Sequence, residues 1–310
     1  MKVAFVFPGQ GSQAVGMLDA FGGEPAVKSV LARAGEALGE DLGQLIAGGP
    51  AEQLNLTVNT QPAMLAAGVA IYRAWLAAGG AVPSILAGHS LGEYTALTVA
   101  EAIPLDVAVR LVRFRAQAMQ DAVPAGSGAM AAILGLTDDQ VAQACAEAAQ
   151  GEVVEAVNFN APSQVVIAGH ATAVGRACEA ARRLGAKRAL PLPVSAPFHC
   201  SLLAPAAERL RVRLCAEPIA APRLPVINNI DVAIESEPER IREALARQAA
   251  GPVRWAEIIR RMAGEGVTHV VECGPGRVLA GLTRRIVPGV ESLALTDPAT
   301  IGEALARLKG

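Results

Sequence analysis

An α/β fold, a parallel sheet with a smaller βαββαβ unit inserted, is predicted by two patterns in the sequence and by the flexible stretches between them. Short apolar runs rich in β-branched residues alternate with helix-period segments, the signature of a parallel sheet covered on both faces. The predicted strands are Val3–Phe7, Ser84–Ala87, Pro225–Asn228 and Thr268–Glu272. The predicted helices are Ala26–Leu38, Ala63–Ala77, Leu105–Gln120, Ser201–Cys215, Val253–Met262 and Arg277–Ile286. Gly251-Pro252 opens the fifth with proline near its first position, and Trp255, Ile258, Ile259 and Met262 then share one face.

The middle of the chain follows a different order. Ala129–Leu134 is a predicted strand, and Thr137-Asp138-Asp139-Gln140 fits a capping box that opens a helix to about Ala149. Strands at Glu152–Val157 and Val165–Ala168, a helix over Ala173–Leu184 and a strand at Arg188–Leu192 follow. This β-α-β-β-α-β order is the ferredoxin-like pattern. Pro124-Ala125-Gly126-Ser127-Gly128 marks one edge of the segment, and Pro191, Pro193 and Pro197 mark the other. The expected organisation is a discontinuous large domain, 1–123 and 197–310, interrupted by an insert over 124–196.

Composition excludes several classes of function. The chain has 310 residues, 52% hydrophobic and 18% charged, which is incompatible with a disordered chain and sufficient for a sizeable core. Its 27 Lys and Arg against 29 Asp and Glu leave a net charge of −2, so nothing global points to nucleic acid. The apolar run before Pro8-Gly9 is too short for a secretory signal, and the stretch from Pro62 to Tyr72 falls short of a membrane span. Five scattered cysteines without a Cys-x-x-Cys suggest neither a disulfide framework nor a zinc site. A cytoplasmic protein is expected.

Gly88-His89-Ser90-Leu91-Gly92 carries the strongest chemical signal. A Gly-x-Ser-x-Gly matters where it joins a strand to a helix, because the tight turn projects the hydroxyl and small neighbours relieve crowding. Ser84–Ala87 precedes it and the helix-compatible Glu93–Ala100 follows, so Ser90 is the candidate nucleophile. Its base must come from four histidines. His89 is adjacent on a sharp turn and points elsewhere, where contact with substrate remains open to it. His170 falls inside the insert and His269 in a strand pattern. His199 lies where the chain returns to the large domain, at a domain boundary and after the nucleophile in chain order, and fits best.

Pro8-Gly9-Gln10-Gly11-Ser12-Gln13 follows the first strand. Gly9-x-Gly11-x-x-Ala14 matches a dinucleotide fingerprint, but the next segment, Ala26–Arg33, is helical and offers no strand ending in an acid. What remains is a tight loop on the ligand-binding edge of the sheet, where a backbone N–H such as that of Gln10 could pair with that of Leu91 as an oxyanion hole. In the helix Leu105–Gln120, Arg110 points away from the apolar face, whereas Arg115 sits at its edge and needs an anionic partner, as a substrate carboxylate would be.

Together these segments resemble the bacterial malonyl-CoA:acyl-carrier-protein transacylases over essentially the whole chain. The resemblance rests on Phe7–Gln13, Gly88–Tyr94, Arg113-Phe114-Arg115 with Met119-Gln120, Asn158-Phe159-Asn160, Ala196–His199, Arg247-Gln248 and Gly274–Leu279. It implies a hydrolase-like α/β domain, Ser90 as acylated nucleophile, His199 as its base and Gln248 orienting the histidine through an amide or carbonyl. It further implies Arg115 on the malonyl carboxylate, Gln10 and Leu91 as oxyanion amides, and Phe198, His89 and Asn160 at the substrate. Ala116 stands where many relatives carry glycine. Phe198 resembles malonyl-selective members, although one methyl is worth only about 1–3 kcal/mol in a pocket. The expected partners are malonyl-CoA and acyl carrier protein, with no cofactor or metal, no nucleic acid, no membrane and a monomeric state. A serine esterase or thioesterase, a non-enzymatic scaffold, and a loader for polyketide synthesis or malonate decarboxylation are the alternatives.

Overall fold

The computed structural model describes residues 1–308; positions 309 and 310, the end of the expected large domain, lie outside the described residues. Nine strands among the described residues form two sheets: β1 (Val3–Phe7), β2 (Ile85–Gly88), β3 (Gly128–Leu134), β4 (Val154–Ala161), β5 (Gln164–His170), β6 (Arg188–Pro191), β7 (Val226–Ile227), β8 (His269–Cys273) and β9 (Glu291–Leu295). The first sheet has the order β7-β2-β1-β8-β9, with every neighbouring pair parallel. Alternate residues of β1 enter two cores. Phe5 and Phe7 pack with Met64, Ile71 and Trp75 from the helix Thr57–Ala77. Ala4 and Val6 pack with Trp255, Ile258 and Met262 from the helix Trp255–Gly264. Burial on both faces is why these strands read as unbroken apolar runs.

The structure departs from the sequence reading at particular elements. The sheet has a fifth strand, β9, at its edge, where Glu291 is exposed and the burial pattern is weak. Pro225–Asn228 shortens to two paired residues, Val226 and Ile227. The helix predicted from Ala63 begins at Thr57 and runs through Pro62, which lacks the N–H that would bond the carbonyl four residues back. The helix Pro238–Gln248 went unpredicted because its exposed face is crowded with charges, although Ile241, Ala244 and Leu245 are buried.

Residues 128–191 form the second sheet, antiparallel in the order β4-β5-β3-β6. The helices Asp138–Ala149 and Ala171–Arg183 share a separate core with it, built on Ile133, Val141, Val165, Ile167 and Val174. The capping box forms: Thr137 Oγ1 accepts from the Gln140 N–H at 3.3 Å, and Gln140 Oε1 accepts from the Thr137 N–H at 2.9 Å. Two main-chain bonds tie this sheet to the segment just before the helix Trp255–Gly264, Val253 N–H to Val157 O at 2.8 Å and Phe159 N–H to Val253 O at 3.0 Å. Among the described residues no helix is long and apolar enough to cross a membrane.

The carboxyl ends of β1, β2 and β7 lead into Pro8–Gln13, His89-Ser90 and Asn228-Asn229, all on the edge where open α/β sheets bind ligands. The crossing of β2 into its helix leaves no room for side chains at two positions. A Cβ on Gly88 would strike the backbone of Gly92, and one on Gly92 would strike the Phe7 carbonyl. Gly92→Ala should therefore lower stability by about 3 kcal/mol in urea unfolding. An unchanged midpoint and slope would contradict this packing.

Candidate active site

Ser90 sits between β2 and the helix Leu91–Val99 at φ 52° and ψ −109°, a conformation L-residues rarely adopt. Three hydrogen bonds hold the turn there. The Gly92 N–H reaches His89 O at 2.9 Å, the Ser90 N–H donates to Asn229 Oδ1 at 2.7 Å, and Asn229 Nδ2 donates to Gly88 O at 2.7 Å. The Leu91 N–H opens the helix, in the first turn where amides have no intrahelical acceptor, and Leu91 lines the cavity together with Gln10. Gln10 is itself tethered, its Nε2 donating to Thr57 Oγ1 at 3.3 Å.

His199 also has a positive φ, 69°, and brings Nε2 to 2.7 Å from Ser90 Oγ. Its Nδ1 lies 2.9 Å from the Gln248 carbonyl oxygen. A carbonyl only accepts, so Nδ1 carries the proton and Nε2 presents its lone pair to the serine hydroxyl. Burial, then the nearby positive charge of Arg115, push the imidazole pKa down to about 3. The ring is thus a neutral acceptor for the serine proton, held by a main-chain carbonyl where a hydrolase triad would use a carboxylate.

Arg115 is 1% exposed, more deeply buried than its place at the edge of the helical stripe suggests. Tyr94 covers one face of the guanidinium, 5.4 Å from ring centroid to Cζ. Nη1 donates to Gln61 Oε1 at 2.9 Å, and Nη2 donates to Ser90 Oγ at 3.0 Å and to Gln248 Oε1 at 2.9 Å. All these partners are neutral, and Nε has none. Burial pulls the arginine pKa down, the mark of a cation lacking a compensating anion. The nearest buried acid, Glu93, is engaged elsewhere: its Oε2 accepts from Gln248 Nε2 and from the Asn229 N–H, both at 2.8 Å. Burial raises the Glu93 pKa to about 7.

The cavity over these groups has a volume of about 720 Å³ and is bounded on its far side by the second sheet. It brings together seven of the residues singled out in the sequence: Gln10, His89, Ser90, Leu91, Arg115, Phe198 and His199. Gln248 stands behind the wall, reaching His199 through its carbonyl and Arg115 through its side chain. Asn160 is outside the lining, its Oδ1 taken by His89 Nε2 at 2.8 Å. His170 and His269 lie elsewhere, on the Val153 N–H and on Glu291. Sequence reasoning missed Asn229, Glu93 and Gln61. The available signals were an asparagine pair at the carboxyl end of a strand, and a glutamate inside a helix whose every residue is buried.

The site's proton balance gives a testable expectation. In the folded protein His199 resists protonation down to about pH 3, whereas in the unfolded chain it titrates near 6.5. The unfolded state then binds more protons below pH 6.5, so this group's contribution is full above 6.5 and is lost as pH falls towards 3. Labelled-histidine NMR should show the His199 ring neutral, with the proton on Nδ1, at pH 5.5. A titration midpoint near 6.5 would contradict the burial argument.

Residues 4–300 match the family model of the acyl transferase domain. The malonyl CoA-acyl carrier protein transacylase of Escherichia coli strain K12 is 55% identical over 305 residues, covering 98% of this chain and 99% of that protein. The crystal structure of an acyl-carrier-protein S-malonyltransferase from Burkholderia pseudomallei superposes with a TM-score of 0.97 at 63% identity, covering 99% of this chain and all of that one. A malonyl-transacylase solved in complex with the holo acyl-carrier protein of a type II PKS gives a TM-score of 0.98 at 51% identity, with coverage of 99% and 100%. On its sequence, its fold and its match along nearly the whole length, the chain belongs to the acyl transferase domain family.

Proposed function

We propose that the protein moves a malonyl group from malonyl-CoA to the phosphopantetheine thiol of acyl carrier protein, as an acyl-carrier-protein S-malonyltransferase. The observation that carries this reading is a fully buried arginine with only neutral partners, 3.0 Å from the hydroxyl of a serine paired with a histidine. A cation in that position selects an acyl group that ends in an anion, and a guanidinium suits a carboxylate. The names of the relatives point the same way.

The cycle is ping-pong. Ser90 Oγ attacks the thioester carbonyl and its proton passes to His199 Nε2, while the carbonyl oxygen, now negative, lies on the Gln10 and Leu91 amides. Collapse breaks the carbon–sulfur bond and the departing coenzyme A thiolate takes the proton from His199. The carrier's thiol then enters, loses its proton to His199 and attacks the seryl ester, and the proton returns to Ser90 Oγ. Arg115 holds the distal carboxylate throughout, and Phe198 limits the space beside the acyl chain. Each step uses side chains and backbone amides, so the cycle calls for no metal or redox cofactor.

Residues 124–196 are read as a ferredoxin-like insert in a large domain formed by 1–123 and 197–310, on the element order and sheet order of β3 to β6. All the groups of the cycle come from one chain, which is why a monomer suffices.

The test compares wild type with Arg115→Ala, on malonyl-CoA and acetyl-CoA, with release measured to a phosphopantetheine thiol and to water. Wild type should prefer malonyl and release it faster to the thiol. The variant should lose about 30-fold or more in kcat/KM for malonyl, some 2 kcal/mol, and far less for acetyl. An unchanged malonyl-to-acetyl ratio, or faster release to water, would overturn the reading.

A further inference from the structure

Resting on that reading, we infer that Glu93, which the cycle does not use, is a positioning residue that holds the nucleophile turn and the carboxylate clamp in register through one side-chain oxygen. Its Oε2 accepts from the Asn229 N–H and from Gln248 Nε2, both at 2.8 Å. Each of those partners in turn reaches a group of the cycle. Asn229 Oδ1 accepts from the Ser90 N–H and Asn229 Nδ2 donates to Gly88 O, both at 2.7 Å, so Asn229 grips the strained turn. Gln248 Oε1 accepts from Arg115 Nη2, and the Gln248 carbonyl accepts from His199 Nδ1, both at 2.9 Å. Ser90, His199 and Arg115 are therefore each one residue removed from the same oxygen.

The surroundings of Glu93 support this assignment. The side chain is buried, as are Asn229 and Gln248, and the gap on its other side is lined by Leu97, Val226, Ile241 and Ala244, beside Asn228 and Glu235. A carboxyl group in such a place costs more than an apolar side chain of similar shape, unless the bonds it makes are needed. Those bonds go to amides. Arg115, the cation whose charge Glu93 feels, is kept one side chain away by Gln248. A direct ion pair would neutralise the guanidinium that the acyl carboxylate requires. The Gln248 amide transmits position without transmitting charge: its oxygen faces a guanidinium that can only donate, and its NH₂ faces an acceptor. Burial raises the Glu93 pKa to about 7, and the network survives in either protonation state. Two donors face Oε2, so the proton of the acid form sits on Oε1 and Oε2 still accepts.

The experiment measures kcat and KM of the full-length protein on malonyl-CoA and acetyl-CoA, with a phosphopantetheine thiol as acceptor. Glu93→Leu removes the shared acceptor and should lower kcat/KM about twentyfold for malonyl and about threefold for acetyl. The acetyl loss should fall on kcat, through the loosened turn alone, and the malonyl loss on kcat and KM together. Glu93→Gln offers an amide oxygen at the same place and should restore most of the malonyl-to-acetyl preference. Gln248→Met cuts the link from its other end and keeps the main-chain carbonyl on His199. It should lower the preference about as far as Glu93→Leu, and it carries the test if Glu93→Leu does not fold. The two substitutions combined should lower the preference no further than either alone, as expected of two cuts in one link. Equal losses on malonyl and acetyl, no loss on either, a Glu93→Gln protein as impaired as Glu93→Leu, or losses that multiply in the double variant would overturn the assignment. A wild type that transfers malonyl to no thiol would instead overturn the acyl-transfer reading.

Discussion

A serine held at φ 52° and ψ −109° is the constraint on which the rest of the site depends. Such a conformation costs about 1–3 kcal/mol and persists only where its surroundings over-determine it. Here the surroundings are the parallel register of β1 with β2, the contact of Gly88 with Gly92, and Asn229 bridging the backbone on both sides of His89. Asn229 is in turn held by Glu93, three residues beyond the serine it supports. The strain is thus shared with buried polar groups that stand behind the cavity wall.

The second organising feature is electrostatic. A cation and a base share one buried site, and their mutual repulsion serves the chemistry: Arg115 helps keep His199 neutral, as a proton acceptor must be before attack. Gln248 mediates between them. Its carbonyl fixes the histidine tautomer, its side-chain oxygen faces Arg115 and its amide nitrogen faces Glu93 and Ser90 O. Reversing that side chain would set its NH₂ against the guanidinium and its oxygen against the carboxylate, so one acid and one cation at opposite ends specify the orientation. The anion that balances Arg115 is left to the substrate.

How much of this was legible follows from the range of each interaction. The turn at Ser90, the capping box at Thr137 and the two sheets were written in local spacing, and the structure contains them. The edge strand β9 and the helix Pro238–Gln248 were not, because exposed positions there carry polar residues that blur the period. Arg115 was found as a candidate, but its full burial depends on Tyr94 and Gln61 arriving from two other helices. Asn229 and Glu93 had only weak local signals, since the partners that give them their roles are separated by more than a hundred residues. The Asn158-Phe159-Asn160 segment was legible only as a group. Two register shifts in β4 flank these residues, with Asn160 on His89 and Asn158 lining the cavity.

The claim at the centre is that the acyl group passes through a covalent bond to Ser90. Intact-mass spectrometry of the protein incubated with malonyl-CoA in the absence of any acceptor, followed by peptide mapping, addresses it most directly. The account predicts a gain of one malonyl group, located on the peptide that contains Ser90 and absent from Ser90→Ala. A Ser90→Ala protein that still gained the malonyl mass, or an adduct mapped to another residue, would contradict it.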